Sequence, residues 1–461
     1  MRTRRTRAPG LLRREGNRPA NEVGCIHGGV AKGVKTHDDG SGGDRQRRVS
    51  GRRFLIVYAQ PSLWSMGEGI GAGSFSRTPR ALAERGHEVH VVLPTEPRQP
   101  AVDRMDGGVA FHRYEAGMLF RPGTGPLPVR LASRLWTYLA YQSSGTRAAM
   151  EVARRVLPDL VISFGTYEAP VARRVAKRLG IPNVTRLFGN SLSLTLDDPI
   201  RFHLNFPEVR AFTTPCARLI LTNDGACGRE VAKRCGVPEG RLVHLRNGLD
   251  FDRFRPGSPV SSVWEDLGLS QGAPLLLTVT RLAPEKKLDR LIDAMPALLK
   301  RVPSAVAVLL GEGPEREALE ARARVLGLQS SVLMPGAVPS ADLPRWYRSA
   351  SVVLSLLDRT NASNPVFEAM ACEGCVVALD AGMTRELVVP DQTGVLLAGE
   401  DLGMLGEILA DLLGDEERRR RLGVAARAHV RALLLDPPAR MDQEVEILLQ
   451  VIEEHEREGH R

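Results

Sequence analysis

The chain has 461 residues, of which 43% are hydrophobic and 25% charged, a length that suits two or three globular domains. Its formal charge of +9 resides in residues 1–53, where 14 Lys/Arg outnumber five Asp/Glu, whereas the remaining residues carry 49 of each sign. Because a nucleic-acid-binding surface is basic, this balance argues against a concentrated basic face on the folded part and against nucleic acid as a partner.

Residues 1–50 are rich in Arg and Gly and nearly without aromatic side chains, so they predict a disordered basic tail. There are two alternatives. The tail is an arm that binds anionic membrane or nucleic acid, or the start site is misassigned and the true first residue lies near Val49. No apolar run there resembles a signal peptide or spans a bilayer, which favours a cytoplasmic protein. Six cysteines fit a reduced compartment, and Cys372 and Cys375 are expected to pack at a helix end rather than bind zinc.

Short apolar runs alternate with helical patterns from residue 51 to residue 250, which is typical of a doubly wound parallel sheet. The predicted strands are 53–59, 88–93, 109–114, 159–163, 183–188, 218–222 and 242–245, and the predicted helices are one ending at 85, 129–156, 167–179, one ending near 214, and 225–235. A glycine loop containing Gly69 and Gly71 follows the first strand. The loop does not have the spacing to a third glycine that a dinucleotide-binding fingerprint requires. No acidic residue ends the second strand either, so a NAD site is not expected.

A linker is predicted at residues 251–272, and a second series of the same kind follows at 273–435. Its predicted strands are 274–280, 306–310, 332–334, 352–356, 375–379 and 394–397, and its helices are 287–301, 315–326, 341–349, one from 365 and three in the remainder. Residues 436–461 are expected to form a C-terminal helix that packs back on the first domain. The fold class is therefore α/β, with two Rossmann-like domains that face a cleft.

One helix of the second domain begins with a strong signal, because Asn364 is a favoured N-cap residue and Pro365 suits the first helical position. Such a helix start presents unpaired backbone N–H groups and the positive end of the helix dipole to a phosphate. Glu368 lies one turn further and is able to accept hydrogen bonds from a sugar hydroxyl. A plain strand–helix connection with a solvated glutamate is the alternative.

Arg281 and Lys286 leave one loop at the end of the first strand of the second domain. A fork-shaped guanidinium and a point charge five positions apart are suited to holding a diphosphate and neutralising a departing one. A solvated basic loop is the alternative. Since the loop lies at the same sheet edge as the helix start at Pro365, an anion site is favoured.

Five runs of the second domain appear in a characteristic order: TRLAPEKKLDRLIDAM, GEGPEREALEARARVLGL, VLMPGAVPSADLPRWYRSASVVL, NPVFEAMACEGCVVALDAG and ELVVPDQTGVLL. With the weaker first-domain runs RALAERGHEVHVVLP, PDLV, RLGIP and NGLDFDRFRP, the chain resembles the retaining nucleotide-sugar glycosyltransferases of family 4, which have the GT-B fold. The resemblance covers residues 53 to about 452.

The resemblance implies a role for several residues. Arg281 and Lys286 would hold the donor diphosphate and stabilise the leaving nucleotide, and Glu368 would bind the ribose. The implied donor-binding residues are completed by Gly69, Gly71, Gly336, Val338, Ala362, Ser363 and Asn364. The second domain would hold the donor and the first domain the acceptor.

Two departures from the family pattern lie at the sugar end of the site. Thr360 stands where the first family glutamate is expected, and the first domain lacks a family histidine near its strand ends. Asn190 and Glu168 are candidates for polar contacts there, or for helix capping.

The resemblance implies a hexosyltransferase that retains anomeric configuration and uses neither a metal nor a cofactor beyond its nucleotide-sugar substrate. The acceptor would be a glycan, lipid or small molecule, as in cell-envelope glycan biosynthesis. A catalytically weak or inactive nucleotide-sugar-binding protein and a GT-B epimerase or phosphorylase are the alternatives. Five aromatic residues are favoured to pack in the core or at the acceptor site, and peripheral contact with the inner face of the membrane is the alternative for them: Trp136, Tyr138, Phe202, Phe206 and Phe212. The sequence indicates no oligomeric state.

Overall fold

Two parallel sheets flanked by helices confirm the predicted α/β class. The computed structural model describes residues 51–59, 74–95, 103–115, 126–222, 225–358 and 363–459. The predicted tail of residues 1–50 lies outside these ranges.

The first sheet has eight strands among the described residues, in the order β3-β4-β2-β1-β5-β6-β7-β8. They are β1 (Arg53–Tyr58), β2 (Glu88–Pro94), β3 (Arg104–Asp106), β4 (Val109–Tyr114), β5 (Leu160–Phe164), β6 (Asn183–Leu187), β7 (Arg218–Thr222) and β8 (Leu242–Leu245). The associated helices are α1 (Ser74–Glu84), α2 (Leu127–Val156), α3 (Ala169–Leu179), α4 (Pro199–Leu204), α5 (Phe206–Thr213) and α6 (Gly225–Arg234). β3 is antiparallel to β4, and the sequence analysis missed it because three residues show no periodicity.

The second sheet has six described strands in the order β11-β10-β9-β12-β13-β14. They are β9 (Leu275–Val279), β10 (Val306–Leu310), β11 (Val332–Gly336), β12 (Val352–Ser355), β13 (Val376–Leu379) and β14 (Val395–Leu397). The helices are α7 (Ser262–Asp266), α8 (Asp289–Arg301), α9 (Arg316–Val325), α10 (Leu343–Ser349), α11 (Asn364–Ala371), α12 (Thr384–Leu387), α13 (Leu405–Gly414), α14 (Glu416–Leu433) and α15 (Pro437–Gly459). The predicted linker is packed, since its Phe254, Val263 and Trp264 are buried in the second core.

Each sheet has one point where the order of its strands reverses. β1 pairs with β2 on one side and β5 on the other, and β9 likewise separates β10 from β12. At such a point the connections leave toward opposite faces of the sheet, which opens a crevice at the carboxyl ends of the two central strands. The β1–β5 and β9–β12 crevices are therefore the places where ligands are expected.

Helix α15 packs on the first sheet, where Val445, Leu448, Val451 and Ile452 join its core. Glu444 of the same helix is fully buried and accepts two hydrogen bonds from the Arg186 guanidinium of β6, at 2.5 and 3.0 Å. Its Oε1 also accepts the Thr78 hydroxyl of α1 at 2.8 Å. A charged and hydrogen-bonded contact therefore ties α15 to a strand that precedes it by more than 250 residues.

The chain passes between the two sheets twice, and the two passages lie against each other. Leu249 N donates to Leu435 O at 3.0 Å, and Arg440 Nε donates to Arg246 O at 2.6 Å. A Cβ atom on Gly248 would lie 3.0 Å from Pro437 Cα, so a larger residue at this position would press on the neighbouring backbone.

One expectation about the surface was wrong. Helices α2 and α3 pack side by side and together carry nine Lys/Arg and one Asp/Glu, so the folded part does have a concentrated basic face. The neutral net charge of the folded part did not reveal this face, because the compensating acidic residues lie on other helices and strands. Of the five aromatic residues considered for membrane contact, Tyr138, Phe202 and Phe212 are buried in the core, as the favoured interpretation predicts, whereas Trp136 is 61% exposed.

Candidate active site

A small pocket of about 90 Å³ lies at the β9–β12 crevice of the second sheet. Lys286 lines one side of it, and Ser363, Pro365 and Val366 at the start of α11 line another. The ends of β9 and β12 form the floor. The structure therefore brings the predicted basic loop and the predicted helix start to one cavity, although they are about 80 positions apart in the chain.

Helix α11 begins one residue earlier than the sequence indicates. Ser363 is the N-cap residue and makes no side-chain capping bond, while Asn364 is already helical. The prediction of Asn364 as the cap was wrong because its Oδ1 accepts Asn247 Nδ2 at 3.2 Å instead. Asn247 belongs to one of the two passages between the sheets, so this bond connects the helix start to the first sheet.

Arg281 and Lys286 are placed very differently although one loop carries both. The Arg281 side chain is 66% exposed and pairs with Glu285 Oε1 at 2.7 Å, whereas Lys286 is half-buried in the pocket. Burial lowers the pKa of Lys286 below its ordinary value, and the charge on Glu285 offsets part of this effect. Among the described residues, no carboxylate forms an ion pair with the Lys286 ammonium, which leaves it available to an anion.

The backbone of this loop is fixed by the segment Gly311–Gly313, which follows β10. Leu282 N donates to Glu312 O at 2.9 Å, and Glu315 N donates to Leu282 O at 3.0 Å. A Cβ atom would lie 1.9 Å from Thr280 O at Gly311 and 2.2 Å from Leu282 O at Gly313. Both glycines are therefore required by the close approach of two loops, a function that the sequence motif alone did not explain.

Glu368 differs from the solvated glutamate of the alternative interpretation. Its Oε2 accepts the Tyr347 hydroxyl at 2.8 Å, and the carboxylate is half-buried. Burial raises the pKa of Glu368 above its ordinary value, while the Tyr347 hydrogen bond and the charges on Arg253 and Arg77 act in the opposite direction. Arg77 lies on α1, beside the first sheet, and Arg253 lies in the segment between the two sheets, so charges from two separate parts of the fold act on this carboxylate.

The first-sheet candidates Glu168 and Asn190 are engaged in local contacts. Glu168 is 3% exposed, and its Oε1 accepts Ala59 N, at the end of β1, at 2.7 Å. Burial raises the pKa of Glu168 to about 8, since its partners are backbone N–H groups and no cation neutralises it in the described part of the chain. Asn190 Oδ1 accepts Ser193 N of the short turn Leu192–Thr195 at 2.9 Å.

Two family models match the chain on either side of its middle. Residues 77–253 match "Glycosyltransferase Family 4", and residues 264–429 match "Glycosyl transferases group 1". The D-inositol 3-phosphate glycosyltransferase of Frankia alni is 31% identical over 364 residues, which are 75% of this chain and 86% of that protein. The chain is a family 4 glycosyltransferase. The resemblance drawn from its motifs is confirmed.

Other relatives of this glycosyltransferase also carry inositol in their names. A D-inositol 3-phosphate glycosyltransferase of Xylanimonas cellulosilytica is 35% identical over 374 residues, 78% of this chain and 87% of that protein. A GDP-mannose-dependent alpha-(1-6)-phosphatidylinositol monomannoside mannosyltransferase of Mycolicibacterium smegmatis is 33% identical over 198 residues. That match spans 41% of this chain and about half, 52%, of the relative.

Solved structures confirm the GT-B fold. Sucrose-phosphate synthase from Thermosynechococcus elongatus superposes with a TM-score of 0.68 at 19% identity, covering 87% of this chain and 99% of the other. A UDP-glucose complex of Anabaena HepE superposes with a TM-score of 0.64 at 19% identity, covering 86% and 99% of the two chains.

Among the described residues of the glycosyltransferase, five predicted donor-site residues are not part of the pocket lining, namely Arg281, Gly336, Val338, Asn364 and Glu368. Gly336 ends β11 and Val338 follows it, at the edge of the sheet, and Gly69, Gly71, Thr360 and Ala362 lie outside the described residues. Sequence analysis assigned no role to four residues that the structure places around Glu368 and the start of α11, because no local pattern indicates which side chains meet across separate elements. They are Tyr347, Arg253, Arg77 and Asn247.

The described part of the glycosyltransferase holds no group of three or more His, Cys, Asp or Glu side chains placed to bind a metal ion. None of its described helices has both the length and the apolar character needed to cross a bilayer. The expectation of metal-independent catalysis stays a prediction.

Proposed function

We propose that this glycosyltransferase transfers a sugar from a nucleotide-diphosphate sugar to an acceptor that contains an inositol phosphate, with retention of anomeric configuration. The observation that carries the proposal is the pocket at the β9–β12 crevice, which Lys286 shares with the start of α11. A cation and a helix N-terminus on one cavity are suited to a diphosphate, since both favour negative charge.

In this proposal the acceptor hydroxyl forms a bond to the anomeric carbon while the bond from that carbon to the diphosphate breaks. The proton passes to an oxygen of the departing phosphate, so no protein base is required. Lys286 and the α11 backbone meet the charge that develops on that phosphate, and Arg281 adds a second, more exposed cation. Glu368, held by Tyr347, binds the ribose hydroxyls. No metal takes part in the proposed reaction.

The acceptor class is proposed from the relatives. D-inositol 3-phosphate glycosyltransferases and a phosphatidylinositol monomannoside mannosyltransferase share an inositol phosphate in the acceptors that their names give. The β1–β5 crevice of the first sheet is the proposed place for this acceptor, because it lies at the strand reversal of the domain that does not carry Lys286.

Peripheral contact with a membrane is part of the proposal. Leu135, Trp136 and Leu139 of α2 are 48%, 61% and 52% exposed and lie within about one helical turn of each other. Large apolar side chains on one helix face are typical of interfacial binding. They replace the buried aromatic residues as the candidate contact.

The test is a nucleotide-release assay with GDP-mannose and UDP-glucose, each offered with inositol 3-phosphate and with phosphatidylinositol vesicles. We expect turnover with one donor, an α-linked product by NMR, and no loss of activity in EDTA. Lys286→Ala is expected to lower kcat/KM by about 10²-fold or more, as for loss of a group that stabilises the departing charge. Lys300→Ala, an exposed lysine of α8, is the matched control.

Several results would contradict parts of the proposal. A β-linked product excludes retention, and loss of turnover in EDTA excludes the metal-free mechanism. Donor binding without turnover on any acceptor of the panel would favour the alternative of a nucleotide-sugar-binding protein. Full activity in Lys286→Ala would show that the pocket is not the diphosphate site.

A further inference from the structure

A groove of about 510 Å³ lies between α2 and α3, on the outer face of the first sheet. Four arginines line it, namely Arg147 and Arg154 from α2 and Arg174 and Arg178 from α3. Arg147 and Arg154 are seven residues apart and lie on one face of α2. Arg174 and Arg178 are four residues apart and lie on one face of α3, so both helix faces border the groove. Leu139 and Met150 add an apolar part to the groove.

The positive charge of the groove is not neutralised by ion pairs within the described part of the chain. None of its four arginines forms an ion pair there, and Glu151, the single acidic residue of the two helices, forms none with them. Arg174 is held in place by hydrogen bonds from its Nη1 to Gln142 Oε1 at 2.8 Å and Thr146 Oγ1 at 3.3 Å. Like charges gathered in this way repel each other unless an anion lies between them.

The groove is separate from the proposed donor site. In a doubly wound sheet the helices run opposite to the strands, so the starts of α2 and α3 lie near the crevice and their ends lie at the far edge. Arg154 and Arg178 belong to the last turns of their helices. The groove thus extends along the outside of the first sheet, whereas Lys286 belongs to the second sheet.

We propose that this arginine groove binds the phosphate groups of a multiply charged ligand. Guanidinium groups pair with phosphate through two parallel hydrogen bonds, and four of them match at least two phosphates. The size of the groove suits a small molecule or a lipid headgroup, and the apolar contribution of Leu139 and Met150 suits a ligand that is not charged throughout. The inference goes beyond the proposed transfer reaction and does not depend on it.

The test compares two triple variants of the full chain. Arg147→Ala/Arg154→Ala/Arg178→Ala removes three charges from the groove, whereas Arg130→Ala/Arg155→Ala/Lys177→Ala removes three from the same helices outside it. All six side chains are exposed, so neither variant disturbs the core. Both retain residues 1–50, so any binding by the basic tail is common to them.

Two probes distinguish the sources of phosphate. Inorganic pyrophosphate is titrated by calorimetry in a Lys286→Ala background, which weakens binding at the proposed donor site, and vesicles of phosphatidylcholine with and without phosphatidylinositol bisphosphate are tested by sedimentation. We expect the groove variant to weaken binding of one probe about tenfold or more and the control variant to change it by less than about threefold. Loss with pyrophosphate identifies a soluble ligand, and loss with vesicles identifies a lipid headgroup.

The proposal is overturned if neither probe binds, or if the two triple variants weaken binding equally. Equal losses would mean that the charge of the whole face acts diffusely and that the groove has no particular role. Binding by the groove is also expected to weaken as salt rises, because ions screen exposed charges.

Discussion

The Tyr347 hydroxyl donates to Glu368 Oε2 at 2.8 Å and thereby joins α10 to α11. Tyr347 is fully buried, so its hydroxyl cannot exchange this partner for water. Burial raises the pKa of Glu368, and the bond acts against this effect while it fixes the carboxylate that is proposed to bind ribose. A residue to which the sequence assigned no role thus positions one that belongs to the most recognisable helix start of the chain.

Tyr347→Phe removes the hydrogen bond to Glu368 and keeps the aromatic ring that fills the core. We expect about tenfold weaker binding of the nucleotide diphosphate, in line with a hydrogen bond to a charged group, and a binding curve that shifts to higher pH because the pKa of Glu368 rises. Calorimetric titration over a range of pH values measures both. Tyr141→Phe, which removes a buried hydroxyl beside the first sheet, is the control, and equal effects of the two variants would exclude this role.

Gly313→Ala tests the contact between the two loops. The new Cβ would lie 2.2 Å from Leu282 O, so one backbone segment must move. We expect a loss of about 1–3 kcal/mol in the free energy of unfolding and a higher KM for the donor, because the displaced loop carries Lys286. Gly399→Ala has open space around it and is the control. A stable variant with an unchanged KM would show that the loop position does not matter to the donor site.

Glu168→Gln tests the buried carboxyl of the first sheet through the pH dependence of stability. The folded-state pKa of about 8 lies above the ordinary value of 4.5. The unfolded chain therefore loses this proton first, and the stability contributed by the protonated carboxyl is complete below about pH 4.5 and is lost as pH rises through about 8.

The amide that Glu168→Gln introduces cannot ionise, yet its oxygen can still accept Ala59 N. We expect the variant to gain stability relative to the unchanged protein between about pH 5 and about pH 8.5, by about 1 kcal/mol or more. Urea denaturation at the two pH values measures the difference. A difference that stays constant with pH would mean that Glu168 is ionised throughout this range.

Glu444→Gln tests a buried carboxylate whose charge is balanced by arginines, in contrast to Glu168, which has no such partner in the described part of the chain. Burial by itself raises the pKa of Glu444, yet the charges on Arg186 and Arg440 outweigh it and hold that pKa at about 2. Removing the charge leaves two buried guanidinium groups without a counter-charge, so we expect a loss of about 3–5 kcal/mol in the free energy of unfolding.

Urea denaturation at neutral pH measures this loss, with the exposed Glu446→Gln as the control. The contribution of Glu444 is present above about pH 4.5 and is lost as pH falls toward about 2, because its folded-state pKa is depressed. A loss smaller than about 1 kcal/mol would show that water or a rearrangement compensates the two arginines.

The sequence by itself determined the two-sheet architecture and the second-domain half of the site. Buried parallel strands must be apolar on both faces, so runs such as Val306–Leu310 identify themselves without any knowledge of their neighbours. The helix start near Pro365 and the loop of Lys286 are equally local signals, and the rule that ligands lie at carboxyl strand ends brought them together before the structure did.

Only the tertiary structure decided how these side chains are used. Arg281 and Lys286 look equivalent in a motif, but one is exposed and paired with Glu285 while the other is half-buried in a pocket. The Tyr347–Glu368 bond joins two helices and the arginine groove joins two others, and spacing within one element does not indicate which other element packs against it. The physical reason is that periodicity reports which face of an element is apolar, whereas the partner, the burial and hence the pKa of a polar side chain depend on which other elements pack against it.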